Sequence, residues 1–158
     1  MDSPGPLNFV RTVVPVPSVF GLPRIEMVEM VVPNDLRSVK EPEDFIIGEL
    51  QRCNYKPDTV FAIKLALEEA LTNAVKHGNR NDAGKRVTIS AHVDPQVTVV
   101  MVRDEGPGFV PQEVPDCTAE ENLERPSGRG IMLMHAYMSK VWFNEFGNEV
   151  WLMRTNTP

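Results

Sequence analysis

An acid, an amide and an imidazole recur at one helical repeat in the stretch Glu69-Ala70-Leu71-Thr72-Asn73-Ala74-Val75-Lys76-His77-Gly78-Asn79. Residues four apart share a helix face, so Glu69, Asn73 and His77 line one stripe. Asn is a poor helix-interior residue, and one aligned with a carboxylate suits a site that needs an amide oxygen. Mg²⁺ takes oxygen ligands and keeps several waters, so one amide oxygen plus phosphates is enough to hold it. Glu69, one turn earlier, could take a proton from a hydroxyl or water beside such a metal. The same residues also fit a surface acid and a surface amide. His77 and Lys76 could approach phosphates, although a helix C-terminus attracts cations in any case. Glu68 points about 100° away, with Lys64 one turn before it, and reads as a solvent-facing ion pair.

Two glycine clusters follow. In Asp104-Glu105-Gly106-Pro107-Gly108-Phe109, Gly106 and Gly108 permit a tight turn and close backbone approach to a flat or anionic ligand. Asp104 closes an apolar strand and could accept a hydrogen bond from an exocyclic amine such as adenine's. The alternative is a sharp hairpin turn with a solvated Asp. Gly128-Arg129-Gly130, just before an expected helix, would present free backbone N–H groups to phosphate. A plain hinge after a loop is the competing reading.

These residues need a frame. At 158 residues, with 42% hydrophobic and 24% charged content, the chain reads as one globular domain. Residues 1–24 carry five prolines and read as an extended extension to a domain at 25–158. That arm is either a mobile tail or a strand packing on the domain or a neighbour. Ile25 to Val32 reads as a strand. Pro33-Asn34-Asp35 offers a cap for a helix reaching about Cys53, with Pro42 in an early turn or at a break. Asp58 or Thr59 would cap a second helix running to about Lys76, stopped by Gly78 in a C-terminal position. Strands follow over 86–93 and 96–103, joined at Asp94-Pro95. Residues 109–127 form a long acidic loop. A third helix over 129–138 and strands over 140–146 and 149–154 complete the chain. The order β-α-α-β-β-loop-α-β-β predicts an α+β fold, a mostly antiparallel sheet with helices on one face.

Several chemistries are disfavoured. The net charge is −6 without a dense basic patch, against direct nucleic-acid binding. No apolar run suggests a membrane span or a secretory signal, and two distant cysteines suit a reducing, cytoplasmic setting. Gly78 to Lys85 is not a P-loop, since five residues separate Gly78 from Gly84-Lys85 and Arg86 stands where Ser or Thr is needed. Gly128-Arg129-Gly130 lacks the third glycine of a dinucleotide fingerprint. The three histidines show no zinc spacing, and there is no nucleophile elbow.

Taken in order, Glu69-Ala70-Leu71-Thr72-Asn73-Ala74 with His77-Gly78-Asn79, then Arg103-Asp104-Glu105-Gly106-Pro107-Gly108-Phe109, then Gly128-Arg129-Gly130-Ile131, resemble the N, G1 and G2 boxes of the GHKL ATPase/kinase superfamily. Within it the chain is most similar to the single-domain anti-sigma-factor serine/threonine kinases, over about 25–154. The resemblance implies a Bergerat-type two-layer sandwich that binds ATP and Mg²⁺. It implies that Asn73 ligates the metal, Asp104 holds the adenine amine, Gly106 and Gly108 line the base pocket, and residues 109–127 form a lid. It further implies Gly128, Arg129 and Gly130 at the phosphates, with His77 near them, and Glu69 as the base. Its implied partners are a small anti-anti-sigma protein as substrate and a sigma factor, in a homodimer. A non-catalytic ATP-binding or protein-sequestering module of the same fold is the alternative. A detached histidine-kinase domain is disfavoured, because no helix with a phosphoacceptor histidine precedes the pocket. Where relatives carry Gly-Thr near the end, this chain has Gly147-Asn148-Glu149.

Overall fold

The computed structural model describes residues 9–108 and 126–156, the side chains of 126–129 excepted. Among these the strands are β1 (Val10–Val14), β2 (Ile25–Pro33), β3 (Arg86–Val93), β4 (Val97–Arg103), β5 (Lys140–Phe143) and β6 (Glu149–Thr155). The helices are α1 (Lys40–Arg52), α2 (Pro57–Thr72) and α3 (Pro126–Tyr137). The strands form one antiparallel sheet in the order β1-β2-β3-β4-β6-β5. This is the α+β architecture expected from the sequence. No described helix is long and apolar enough to cross a membrane.

Strand alternation sorts the core. Met30 and Val32 of β2, Val87 and Ile89 of β3, Val100 and Val102 of β4, and Val150 and Leu152 of β6 point to one face. There they meet Ile46 and Leu50 of α1 and Ile63, Leu67 and Leu71 of α2, whose spacing is that of a helical stripe. The opposite face is also covered. Met27, Val99, Met101, Trp151 and Met153 pack with Phe20, which is 3% exposed. Part of the proline-rich arm therefore belongs to the sheet. Val10–Val14 pairs with β2, and the segment after it returns across the second face, where Lys140 Nζ donates to the Val19 carbonyl at 2.6 Å. Of the two readings of the arm, residues 10–14 take the packed strand.

Local boundaries differ from expectation for identifiable reasons. Asp35 does not cap α1; its carboxylate accepts from Ser38 N at 2.7 Å and Ser38 Oγ at 2.9 Å, closing a turn before the helix. Asn34 is buried and serves another purpose, described below. Pro42 sits in the first turn of α1, where its missing N–H costs nothing. Neither Asp58 nor Thr59 caps α2; Lys56 does so without a side-chain bond, and Pro57 takes the first helical position. α2 ends at Thr72, and the chain continues as a wide π-helical turn, Asn73–Gly78. β5 stops at Phe143, because Asn144 turns the chain: its Oδ1 accepts from Asn148 N at 3.1 Å, and its Nδ2 donates to Asn148 Oδ1 at 2.7 Å. The expected acidic loop falls almost wholly on 109–125, outside the described residues.

Candidate functional site

The π-helical turn organises the site, with Asn73 as its first residue and Gly78 as its last. Its i→i−5 pattern shows where Asn79 N donates to the Ala74 carbonyl at 2.8 Å. Such turns waste hydrogen-bond geometry, persist when other contacts over-determine them, and cluster at functional sites. Here the cause is a pair of buried amides. Asn79, 0% exposed, donates from Nδ2 to Asn34 Oδ1 at 3.0 Å and to the Arg86 carbonyl at 2.9 Å. Its Oδ1 accepts from Glu105 N at 2.7 Å. Asn34 Nδ2 in turn donates to the carbonyls of Val75 at 3.4 Å and Asp82 at 3.1 Å. The two amides thus tie β2, the wide turn, the start of β3 and the end of β4 into one unit. Sequence reasoning gave Asn79 no role and made Asn34 a cap. The pairing joins residues 45 apart, and only the sheet register reveals it.

At the end of the turn stands Asp104. It is 8% exposed, and its Oδ1 accepts from Gly106 N at 2.8 Å. Burial pushes its carboxyl up to about 6, against the lowering effects of the Gly106 N–H and the Lys85 ammonium. A buried carboxylate with unspent acceptor capacity fits a ligand that brings an N–H donor. The surrounding glycines are there for space. A Cβ on Gly78 would lie 2.2 Å from Asp104 Oδ2, and one on Gly106 would lie 1.8 Å from the Gly78 carbonyl oxygen. Gly78 does end the helical segment, as the sequence suggested, and it also makes room for the Asp104 carboxylate. Gly108 does need positive φ, at 80°, and its missing Cβ lets Phe146 approach.

At the start of the turn, Glu69 and Asn73 lie together under α3. A Cβ on Gly130 would stand 2.9 Å from Glu69 Oε2, 2.9 Å from Asn73 Nδ2 and 3.4 Å from Asn73 Oδ1. Both side chains are half-buried. His77 is exposed, and the widened turn breaks the i, i+4 repeat that placed it in line with Glu69 and Asn73. Gly128, Arg129 and Gly130 lie inside the first turns of α3 rather than before it. Gly128, the third helical residue, thus sits where backbone N–H groups lack helical partners, while Gly130 lies one turn further in. Glu149 turns away from the site, its Oε1 accepting from Arg103 Nε at 2.8 Å and its Oε2 from Trp151 Nε1 at 2.9 Å. Glu68 keeps the expected ion pair with Lys64, at 3.9 Å.

One turn therefore joins a buried amine acceptor to an acid–amide pair beneath the N-terminal turns of a helix. The donor set fits a purine nucleotide and a hard cation. Asp104 suits the base, Asn73 suits the metal, and the start of α3 suits the phosphates. Comparison with known proteins agrees in kind. The profile described as histidine kinase-like ATPase domain matches residues 32–154. The chain is 39% identical over 87 residues to proteins named anti-sigma F factor from Geobacillus stearothermophilus and Geobacillus kaustophilus. It is 36% identical over 87 residues to the protein of that name from Bacillus subtilis. Each alignment covers 53% of this chain and 59% of the relative. With the match at 32–154 spanning β2 to β6, and the boxes gathered on one turn, the chain belongs to the histidine kinase-like ATPase domain family.

Proposed function

We propose that the protein is an Mg·ATP-dependent serine/threonine protein kinase of the anti-sigma type, working in the cytoplasm. It phosphorylates a small anti-anti-sigma-type protein and sequesters a sigma factor or similar regulator. The observation that carries this reading is the placement of Glu69 beside Asn73 under Gly130. A module that only bound nucleotide would need the amide but not the acid. The likeness to proteins named anti-sigma F factor supports a sigma factor as one partner, and the small protein substrate and a homodimer complete the proposal.

In this reading Asp104 accepts from the adenine amine, and the Gly78–Gly106 backbone contact leaves a flat surface against the base. Asn73 contributes its amide oxygen to Mg²⁺, which when bound neutralises charge developing on the phosphates. The N–H groups at the start of α3 hold phosphate oxygens. Glu69 accepts the proton of a substrate serine or threonine hydroxyl. That oxygen bonds to the γ-phosphorus, the bond from phosphorus to the β,γ-bridging oxygen breaks, and ADP leaves. The added charge on the antagonist weakens its binding and exchanges partners.

The test is transfer of labelled γ-phosphate to an antagonist-type protein. Wild type should transfer, and Glu69→Gln should bind ATP nearly normally yet transfer nothing. Full transfer by Glu69→Gln removes Glu69 from the mechanism. ATP binding without transfer by wild type leaves the sequestering module of the same fold.

A further inference from the structure

β2 parts from β3 before either strand ends. The β2–β3 ladder stops at Val28↔Ala91, yet β1–β2 pairing runs on to Val14↔Ile25 and β3–β4 pairing to Val93↔Thr98. Ile25, Glu26 and Met27 therefore pair with β1 alone. A cavity of about 310 Å³ opens at this seam, walled by Val28, Ala91, Val93 and Phe45 of α1. One side chain crosses the gap. His92 Nδ1 lies 3.0 Å from the Glu26 carbonyl oxygen, and His92 Nε2 lies 2.7 Å from Asp94 Oδ2. β2 runs on from the seam to Asn34, whose amide holds the wide turn of the candidate site.

A carbonyl oxygen only accepts, so Nδ1 must carry a proton. Nε2 then needs a second proton, unless Asp94 itself is protonated. The surroundings keep Asp94 ionised: its Oδ1 accepts from Gln96 N at 2.7 Å and Val97 N at 2.9 Å. Burial works to raise its carboxyl, but the His92 ring and those two N–H groups hold it below the ordinary range. The turn is fixed from behind, since Tyr55 Oη donates to the Asp94 carbonyl at 2.9 Å and accepts from Thr98 Oγ1 at 2.9 Å. The other charges around the ring are paired with one another. Arg11 of β1 lies 3.6 Å from Glu26, and Arg52 of α1 lies 3.2 Å from Glu49. Both ring bonds are thus complete only in the imidazolium, with Asp94 as its counter-ion.

We infer that His92 is a pH-sensitive latch closing the seam between the β1–β2 edge and the body of the sheet. With both protons the ring ties Glu26 to the Asp94 turn. When pH rises and Nε2 gives up its proton, that nitrogen and the carboxylate become two acceptors face to face, one bond is lost and the seam loosens. The latch therefore stabilises the edge on the acid side of the ring's titration and not on the alkaline side. Met27 and Phe20 stay packed on the other face, so the change is a local opening rather than unfolding. The inference needs neither nucleotide nor phosphate transfer. The test follows the full chain by NMR between about pH 5 and 8, the ring through its nitrogen shifts and the seam through amide protection factors. Cys53 and Tyr55, pushed up by burial, stay protonated across this window. Both ring nitrogens should be protonated at the acid end, and protection at Glu26 to Val28 should fall roughly tenfold as the ring loses its proton. His92→Gln keeps a donor for Glu26 but cannot titrate, so its protection should be flat. Asp94→Asn offers Nε2 a donor that suits the neutral ring and should abolish or reverse the fall. A ring with one bare nitrogen at the acid end, wild-type protection that does not track the ring, or a fall that persists in both variants overturns the latch.

Discussion

Replacing Asp104 by Asn should make the ligand-free protein more stable at neutral pH while damaging nucleotide binding. The carboxyl is 8% exposed, and burial pushes it up to about 6 from the ordinary 3.8. A shift of that size corresponds to about 3 kcal/mol between the charged and neutral forms. The sign follows from proton uptake. Between about pH 4 and 6 the folded state keeps the Asp104 proton and the unfolded state has lost it. Stability from this group therefore falls as pH rises through that window and is fully lost above it. Asn is close in shape, stays neutral, and can still accept from Gly106 N. The two proteins should be nearly equal in stability at pH 3.5, and the variant should lead by about 2–3 kcal/mol at pH 7.5. Urea denaturation across this range measures it, and the difference cancels the other shifted carboxyls, such as Glu43 and Asp94, which both proteins share. Adenosine affinity supplies the second arm. An ionised acceptor favours the amine, so wild-type affinity should drop about tenfold one unit below pH 6, and the variant should bind weakly throughout. Parallel stability curves for the two proteins would refute the buried-acid reasoning.

Two further substitutions probe the frame. Asn79→Ala strands Asn34 Oδ1, the Arg86 carbonyl and Glu105 N, and should cost about 2–4 kcal/mol in denaturation; a loss within experimental error would mean that water replaces the amide. Gly130→Ala places a methyl 2.9 Å from Glu69 Oε2 and Asn73 Nδ2. It should leave adenosine affinity unchanged and slow phosphate transfer roughly a hundredfold by displacing the acid; unimpaired transfer would separate Gly130 from the reaction.

The sequence was most legible where chemistry and periodicity coincide. Glu69 and Asn73 stand four apart across the end of α2, before the turn widens, and the structure keeps them together under Gly130. Asp104 stands two residues after Val102, the last of five consecutive buried strand residues, and across the exposed Arg103 the strand's alternation returns its carboxylate to the buried side. What failed was anything set by distant contacts. The π-helical turn and the exposure of His77 follow from amides that reach β2, β3 and the end of β4, which local spacing does not encode. Beyond ending the helical segment, Gly78 makes room for a carboxylate 26 residues away, which helix-stop chemistry does not encode. The covering of the second sheet face was legible only as one of two readings, because Val14, Val16 and Phe20 sit among prolines whose spacing also suits a mobile tail.

The most direct test of the central claim is calorimetric titration of the wild-type chain and of Asn73→Ala with ATP, with and without Mg²⁺. We predict binding by wild type that strengthens with Mg²⁺, and binding by Asn73→Ala that no longer responds to the metal. Metal-independent binding by wild type, or no binding by a well-folded wild-type chain, would contradict the account.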